Sequence, residues 1–280
     1  MNDLKPSSSD NTHSTSPLNI DGQLTIVKIG GNIIDDDRKL AVFLKEFSSV
    51  PGRKILVHGG GKLATKVAEE MNVPQQMVDG RRITDEATLK IVTMVYAGYV
   101  NKNIVAQLQS SGTNAMGICG ADANAIKAHK RTDANLDYGL VGDIDGVNVA
   151  LLENLLGQNI TLVVAPITHD GSGQLLNTNA DTIAQELAKA LSKSHSVSLI
   201  YSFEKAGVLR DANDDESLIN EIVPDTYVTL KNTGAVFAGM IPKLDNAFVA
   251  LNSGVKKVVI GKAEELSQLI TGGAGTTIRL

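Results

Sequence analysis

The stretch Ile55-Leu56-Val57-His58-Gly59-Gly60-Gly61 decides the fold, because an apolar strand pattern runs directly into three glycines. Apolar residues then recur at helical spacing, which predicts a helix over residues 62–71. Glycine lets the backbone approach a ligand, and the N–H groups at the start of a helix attract anions. The stretch therefore predicts a strand-to-helix turn beside an anionic group.

A second turn of this kind lies nearer the N-terminus. An apolar strand over residues 24–29 contains Lys28 and ends in Gly30 and Gly31, and a helix is predicted over 37–47. A lysine is rarely buried without a partner. The order strand, helix, strand, helix predicts an α/β fold, with helices on both faces of a mainly parallel sheet.

The rest of the chain continues the alternation of strands and helices. A hairpin is predicted at 76–80, a long helix from 84 to about 108, and short strands and hairpins over 115–149. Later predicted elements are a helix at 148–156, strands at 160–165, 197–201 and 256–260, a helix at 264–270 and a closing edge strand at 276–280. The long helix offers a face for a homodimer.

Two further stretches place polar residues at predicted helix starts. Asn177-Thr178-Asn179-Ala180-Asp181 precedes a helix for which Asn179 or Asp181 can act as the N-cap. Gly239-Met240-Ile241-Pro242-Lys243 brings a second lysine to another helix start. Asn and Asp are common caps, so the first stretch by itself predicts no more than a cap.

Five motifs in this order resemble the amino acid kinase family, and within it the N-acetylglutamate kinase branch. They are Lys28 to Gly31, His58 to Gly61, Gly80 to Thr84, Asn177 to Asp181, and Gly239 to Lys243. The match covers about residues 24–280. The resemblance implies a three-layer αβα sandwich that transfers phosphate from ATP to the γ-carboxylate of N-acetyl-L-glutamate, in arginine biosynthesis. It also implies that Mg²⁺ arrives with ATP.

The resemblance further implies a role for each matching residue. Lys28 and Lys243 flank the transferring phosphoryl group, and Asp181 orients both of them. The residues expected to bind the acylglutamate are Gly60, Gly61, Arg82 and Asn177, and those expected to bind phosphate are Gly30, Gly31 and Asn179. No general base is needed, because the attacking carboxylate is ionised at pH 7.

Arg81 departs from the family pattern, which commonly has an apolar residue there. A second guanidinium near the substrate suits an N-succinyl group, which carries an extra carboxylate. N-succinyl-L-glutamate is therefore an alternative substrate, and a solvent-facing Arg81 is the competing interpretation.

The loop at 202–206 is a second departure. Relatives commonly have an aspartate after this strand, whereas the chain has Ser202, Phe203 and one inserted residue. This loop contacts the nucleotide in relatives, so a non-catalytic sensor of ATP or an amino acid is a further alternative.

The expected domain organisation follows the resemblance. Residues 1–20 are polar and predict a disordered tail, without the N-terminal amphipathic helix of arginine-inhibited hexamers. We therefore expect a homodimer without arginine feedback. Residues 21–195 are expected to form the acylglutamate-binding and dimerisation lobe, and 196–280 the nucleotide-binding lobe.

Composition excludes several classes of function. The net charge of −5 does not favour nucleic acid or an anionic membrane as a partner, which leaves small-molecule substrates. Neither a signal peptide nor a membrane-length apolar run occurs, so a cytoplasmic protein is expected. The single cysteine and scattered histidines predict no metal site built by the protein. The basic cluster ending at Arg131 is predicted to be a solvated face.

Overall fold

The computed structural model describes residues 22–78, 81–134, 136–211, 214–236 and 240–280. The tail predicted at 1–20 and the motif glycines Gly80 and Gly239 lie outside the described residues.

Eight strands form the main sheet. In their order across the sheet they are β12 (Glu221–Ile222), β14 (Thr276–Ile278), β13 (Lys257–Lys262), β11 (Ser196–Phe203), β1 (Gln23–Ile29), β2 (Arg53–His58), β8 (Thr161–Val164) and β5 (Ala115–Ile118). Neighbouring strands are parallel except β13 and β14, which are antiparallel. The predicted α/β fold with a mainly parallel sheet is therefore confirmed.

The C-terminal strand does not lie at the edge of the sheet, so that prediction was wrong. β14 is flanked by β13 and by β12, which pairs with it through Glu221 and Ile222. With only two residues, β12 is too short to produce an apolar pattern.

Two smaller sheets complete the strands of the described residues. The first contains, in order, β10 (Leu175–Asn177), β9 (Ile167–His169), β6 (Ile126–Lys130) and β7 (Gly142–Val147). The second is the hairpin of β3 (Gln76–Val78) and β4 (Arg81–Ile83). β6 and β7 account for short strands predicted over 115–149, and the hairpin accounts for the arm predicted at 76–80.

Ten α-helices occur in the described residues. They are α1 (Gly31–Ile34), α2 (Asp37–Ser48), α3 (Gly61–Glu70), α4 (Glu86–Thr93), α5 (Asn101–Ser110), α6 (Val149–Gly157), α7 (Ala180–Leu191), α8 (Pro224–Thr233), α9 (Ile241–Asn252) and α10 (Leu266–Thr271). The predicted long helix is α4 and α5 joined by a π-helical segment, Met94–Val100. The sequence pattern did not predict α8, whose amphipathic character is weak.

Successive side chains of a strand point to opposite faces of the sheet, so one hydrophobic core lies on each side. In β1, Leu24 and Ile26 face one core, whereas Val27 and Ile29 face the other. The first core contains buried residues of α6, α7, α8 and α9, and the second contains those of α2, α3, α4, α5 and α10. Helices therefore cover both faces of the sheet, which gives three layers.

One continuous sheet spans the two predicted lobes. The boundary expected at 195/196 falls between α7 and β11, and β11 pairs with β1 from Gln23 beside Ser196 to Ile29 beside Ser202. The two-lobe division stays a prediction. Within the described residues, no helix has the length and apolar character needed to span a membrane.

Candidate active site

Asp181 lies between two lysine side chains. Its Oδ1 is 2.9 Å from Nζ of Lys28, and its Oδ2 is 2.9 Å from Nζ of Lys243. Lys28 belongs to the central strand β1, Asp181 to the first turn of α7 and Lys243 to the first turn of α9. The fold thus brings together the three residues predicted to be catalytic.

The two lysines keep Asp181 ionised. Burial opposes the negative charge, but the ammonium groups of Lys28 and Lys243 outweigh it and hold the pKa of Asp181 well below its ordinary value. Two ammonium groups and one carboxylate leave a net positive charge between two helix starts. Such a site attracts a polyanion such as a nucleotide phosphate.

Asn179 is the N-cap of α7. Its Oδ1 accepts hydrogen bonds from the backbone N–H of Asp181 at 2.7 Å and of Thr182 at 3.2 Å. The cap leaves the Asp181 carboxylate available for the lysines. The Asn179 oxygen is engaged, so only its NH₂ group remains for the predicted contact with phosphate.

Of the two backbone amides in the first glycine turn, Gly30 and Gly31, one is available to a ligand. The N–H of Gly30 donates to the carbonyl of Ser202 at 3.0 Å, so it is engaged within the protein. Gly31 begins α1, where the first N–H groups lack partners within the helix. Of the two glycines predicted to bind phosphate, Gly31 therefore has the available donor.

The loop at 202–206, which differs from the family pattern, packs against the first glycine turn. A Cβ added to Gly30 would lie 3.6 Å from Cβ of Phe203 and 3.7 Å from the Ser202 carbonyl oxygen. Ser202 is buried at the end of β11. Phe203 therefore stands directly beside the first glycine turn.

A cavity of about 200 Å³ borders the start of α7. It is lined by the glycine turn and by three arginines, among other residues: Gly59, Gly60, Gly61, Arg81, Arg82, Arg131, Tyr96, Asn177 and Asn179. Its size suits a small molecule, and its guanidinium groups suit carboxylates.

Arg82 connects the β3–β4 hairpin to the glycine turn. The side chain is buried, and its Nη2 donates to the Gly61 carbonyl at 2.9 Å and to Oγ1 of Thr65 at 2.8 Å. Its Nη1 donates to Oε1 of Gln75. These contacts fix the guanidinium at the cavity, where its positive charge attracts a ligand carboxylate.

Asn177 supports Arg82 through Thr84. The Asn177 Nδ2 donates to Oγ1 of Thr84 at 3.0 Å, and that hydroxyl donates to the Arg82 carbonyl at 3.0 Å. Asn177 therefore reaches the cavity and also fixes the backbone of β4.

Gly60 is packed against Tyr96. The φ of Gly60 is +146°, and a Cβ there would lie 3.0 Å from the Tyr96 ring. Tyr96 belongs to the π-helical segment, and from its spacing it is one of the apolar positions of the long helix predicted to offer a dimer face. Sequence reasoning therefore missed Tyr96 as a residue that lines the cavity.

Arg131 does not lie on a solvated face as predicted. It lines the cavity, its Nε is 3.1 Å from both carboxylate oxygens of Asp143, and its guanidinium lies 5.6 Å from the Tyr138 ring centroid. Hydrogen bonding to Arg131 lowers the pKa of Asp143. Because this position depends on the fold of the second sheet, no local sequence signal identifies it.

Arg81 also lines the cavity, although it is exposed. Its guanidinium has no hydrogen bond or salt bridge with any residue that the structure describes. Its positive charge helps to lower the pKa of Asp143, after the larger effect of Arg131.

The described residues do not form a cluster of side chains that would hold a metal ion by themselves. Across residues 22–78, 81–134, 136–211, 214–236 and 240–280, no cluster of three His, Cys, Asp or Glu side chains is positioned to hold a metal ion. Asp181, the carboxylate of the site, is paired with both lysines.

The chain is similar to known proteins over most of its length. Residues 23–262 match the model of the amino acid kinase family. The acetylglutamate kinase of Cytophaga hutchinsonii is 57% identical over 249 residues, which cover 89% of this chain and 94% of that protein. The acetylglutamate kinase of Phocaeicola vulgatus is 51% identical over 257 residues, with coverage of 92% and 98%.

Solved structures share the fold at lower identity. The smu.665 protein from Streptococcus mutans UA159 has a TM-score of 0.74 and 26% identity, over 91% of this chain and 98% of that one. An N-acetylglutamate synthase from Neisseria gonorrhoeae has a TM-score of 0.77 at 21% identity, over 92% of this chain and 59% of that one. The latter likeness concerns the fold alone.

Proposed function

The chain belongs to the amino acid kinase family, and we propose that it transfers the γ-phosphoryl group of ATP to the γ-carboxylate of N-acetyl-L-glutamate. The relatives named acetylglutamate kinase, at 51–57% identity over most of the chain, support this activity and a place in arginine biosynthesis. The observation that carries the proposal is the pairing of Lys28 and Lys243 with Asp181, beside a cavity lined by arginines.

The residues of the chain contribute position and charge. Lys28 and Lys243 neutralise negative charge on the transferring phosphoryl group and on the leaving β-phosphate, while Asp181 holds both ammonium groups in place. The γ-carboxylate oxygen forms a bond to phosphorus as the bond to the β-phosphate oxygen breaks. Because the carboxylate is already ionised, no proton needs to be removed.

Backbone amides and Arg82 hold the two substrates in line. The N–H groups of Gly31, Gly60 and Gly61 donate to the phosphoryl oxygens and to the reacting carboxylate. The guanidinium of Arg82 binds the α-carboxylate, and Asn177 supports it. Mg²⁺ enters with ATP and is held by phosphate oxygens, where it shields their charge.

A second candidate substrate is N-succinyl-L-glutamate. The observation that favours it is the position of Arg81 on the cavity, with its guanidinium unpaired among the described residues. The extra carboxylate of a succinyl group complements that positive charge. A non-catalytic sensor is not favoured, because relatives at 51–57% identity are named kinases and both lysines are in place.

A homodimer is part of the proposal. The long helix leaves Met94 and Tyr99 exposed, and an apolar groove lies between Met71, Met94 and Leu175. Burial of such a groove against a second copy is favourable because apolar surface leaves water. A cytoplasmic location and the lack of arginine feedback stay predictions.

Measurement of ADP release with ATP and Mg²⁺ tests the function. N-acetyl-L-glutamate, N-succinyl-L-glutamate and free L-glutamate are compared at equal concentrations. Turnover on an acylated substrate, but not on free glutamate, is the expected result and identifies the acyl group. Failure of all three to release ADP from a protein that binds ATP would contradict the proposal.

A further inference from the structure

A buried polar chain begins immediately behind the second glycine turn. His58 is completely buried, with its Nδ1 2.8 Å from the Gly59 carbonyl oxygen. On the other side of the ring, Nε2 is 3.1 Å from Nδ2 of Asn101, which is also completely buried at the start of α5. The mechanism above assigns no role to either residue.

Lys102 and the Val163 carbonyl fix the direction of these hydrogen bonds. Nζ of Lys102 lies 3.0 Å from Oδ1 of Asn101 and 2.8 Å from the Gly117 carbonyl oxygen. An ammonium group can only donate, so the amide oxygen of Asn101 must face Lys102. The amide Nδ2 therefore faces His58, and it also donates to the Val163 carbonyl at 3.0 Å.

The orientation of Asn101 in turn determines the tautomer of His58. Because Nδ2 donates to Nε2, that ring nitrogen is an acceptor and carries no proton. The proton of the neutral ring is then on Nδ1, which donates it in a hydrogen bond to the Gly59 carbonyl. Burial favours the neutral ring, since it lowers the pKa of His58 to about 4.

The hydrogen bond to Gly59 sets the direction of the next amide. In a planar trans peptide the carbonyl and the following N–H point in opposite directions. The Gly59 carbonyl faces His58, so the Gly60 N–H points to the other side of the peptide plane. Gly59 and Gly60 both line the candidate cavity.

We infer that Asn101 is a positioning residue for phosphoryl transfer, which acts through His58 to aim the Gly60 N–H at the reacting groups. Its effect on the reaction rate rests on the proposed function, whereas the tautomer of His58 does not. Gly117 keeps room for the arrangement, because a Cβ there would lie 1.9 Å from Oδ1 of Asn101.

Nitrogen-15 NMR of the histidine rings in the full-length protein tests the tautomer of His58 directly. The His58 signal is assigned as the one that is missing in His58→Gln. We expect the Nδ1–H tautomer, without protonation between pH 5.5 and pH 8. A ring protonated on Nε2 alone would overturn the inference, even if the protein turned over no acylglutamate and the proposed function failed.

Kinetics of Asn101→Ala test the link to the reaction. Loss of one preorganised donor costs about 10²–10³ in kcat, and a misdirected donor is expected to cost about tenfold to a hundredfold, with both KM values within about threefold. Gly117→Ala should lower kcat in the same way, because the added Cβ displaces the Asn101 amide. A kcat within twofold of wild type in folded Asn101→Ala would overturn the inference.

Two further variants separate positioning from general damage to the fold. Asn148→Ala removes the side chain that caps α6 at Leu151, so it should lower thermal stability and leave kcat unchanged. Lys102→Met alters an exposed side chain, and the Val163 carbonyl should still hold the Asn101 amide in place, so the His58 tautomer should not change. If Asn101→Ala does not fold, a kcat within twofold of wild type in folded Gly117→Ala would overturn the inference.

Discussion

Lys243 and Asp181 are 62 positions apart in the chain, yet Nζ of the lysine lies 2.9 Å from Oδ2 of the aspartate. The contact connects the first turns of α9 and α7, two helices that contribute to the same core. Tyr201 lies beneath it, with its ring centroid 6.0 Å from the Lys243 ammonium. Lys243 of α9, Asp181 of α7 and Lys28 of β1 thereby form one cluster of charged side chains.

Asp181→Asn should abolish most of the activity. Without the carboxylate, the two ammonium groups repel each other and lose the anchor that orients them. We expect kcat to fall by about 10²–10³, the effect of losing electrostatic preorganisation. The measurement is steady-state ADP release with the acylated substrate.

Glu186→Gln is the matched control for that change. It removes a carboxylate from the same helix, where Glu186 pairs with Lys189 at 2.7 Å. Its kcat should stay close to that of wild type. Equal losses in the two variants would mean that general destabilisation of α7 explains the effect.

Gly60→Ala should lose activity through both strain and a steric clash. The φ of +146° disfavours any side chain, and the Cβ would lie 3.0 Å from the Tyr96 ring. Gly112→Ala, with φ of +77° and no atom near the added Cβ, is the control for strain alone. We expect both variants to be less stable by about 1 kcal/mol or more, but only Gly60→Ala to lose kcat. Retained kcat in Gly60→Ala would argue against a role for this turn.

Arg81→Leu should affect the succinylated substrate selectively. If its guanidinium binds the extra carboxylate, kcat/KM for N-succinyl-L-glutamate should fall about tenfold or more, as expected for one charge-assisted hydrogen bond. The value for N-acetyl-L-glutamate should change little. Arg38→Leu, which removes an exposed arginine from α2, should change neither value. Equal effects of Arg81→Leu on both substrates would exclude this role.

Wild-type stability should decrease as the pH falls from 6.5 to about 4. Burial lowers the pKa of His58 from the ordinary value of 6.5 to about 4. In that interval the unfolded chain binds a proton at this histidine while the native protein does not, so acid favours unfolding. Urea denaturation should show a steeper decrease for wild type than for His58→Gln. Parallel curves would mean that the native pKa of His58 is not lowered.

A lower pH should also weaken the ion pairs of Asp181 with Lys28 and Lys243. The lysines hold the pKa of Asp181 below its ordinary value, so the unfolded chain takes up a proton at this residue first. The stability contributed by the ionised carboxylate is complete above about pH 4 and decreases below it. The difference in free energy of unfolding between wild type and Asp181→Asn should therefore shrink below pH 4. A constant difference from pH 3 to pH 6 would contradict the ion pairs.

The sequence predicted those features that local patterns or ordered motifs encode. Apolar runs and glycine turns predicted β1, β2 and the helices that follow them. The family resemblance carried by the ordered motifs predicted that Lys28, Asp181 and Lys243 would meet. The roles of the individual site residues stay predictions. The geometry adds that the Gly30 amide and the Asn179 oxygen are already engaged within the protein.

Other features depend on contacts between distant segments. Arg131 ends a short basic cluster, whose composition predicted a solvated face. Its pairing with Asp143 on β7 instead holds the side chain at the cavity. Tyr96 has the spacing of an apolar position of the long helix, and the π-helical segment that carries it has no clear pattern in the sequence. The two-residue strand β12 likewise forms only because β14 supplies its partner.

Trapping of the acyl phosphate with hydroxylamine tests the central claim most directly. The wild-type protein, incubated with ATP, Mg²⁺ and an N-acylated glutamate, should yield the γ-hydroxamate in proportion to ADP released. Lys243→Met should bind ATP but yield at least about a hundredfold less hydroxamate per unit time, because one of the two charges at the phosphoryl group is missing. Formation of ADP without hydroxamate in wild type, or equal hydroxamate from Lys243→Met, would contradict the proposed phosphoryl transfer.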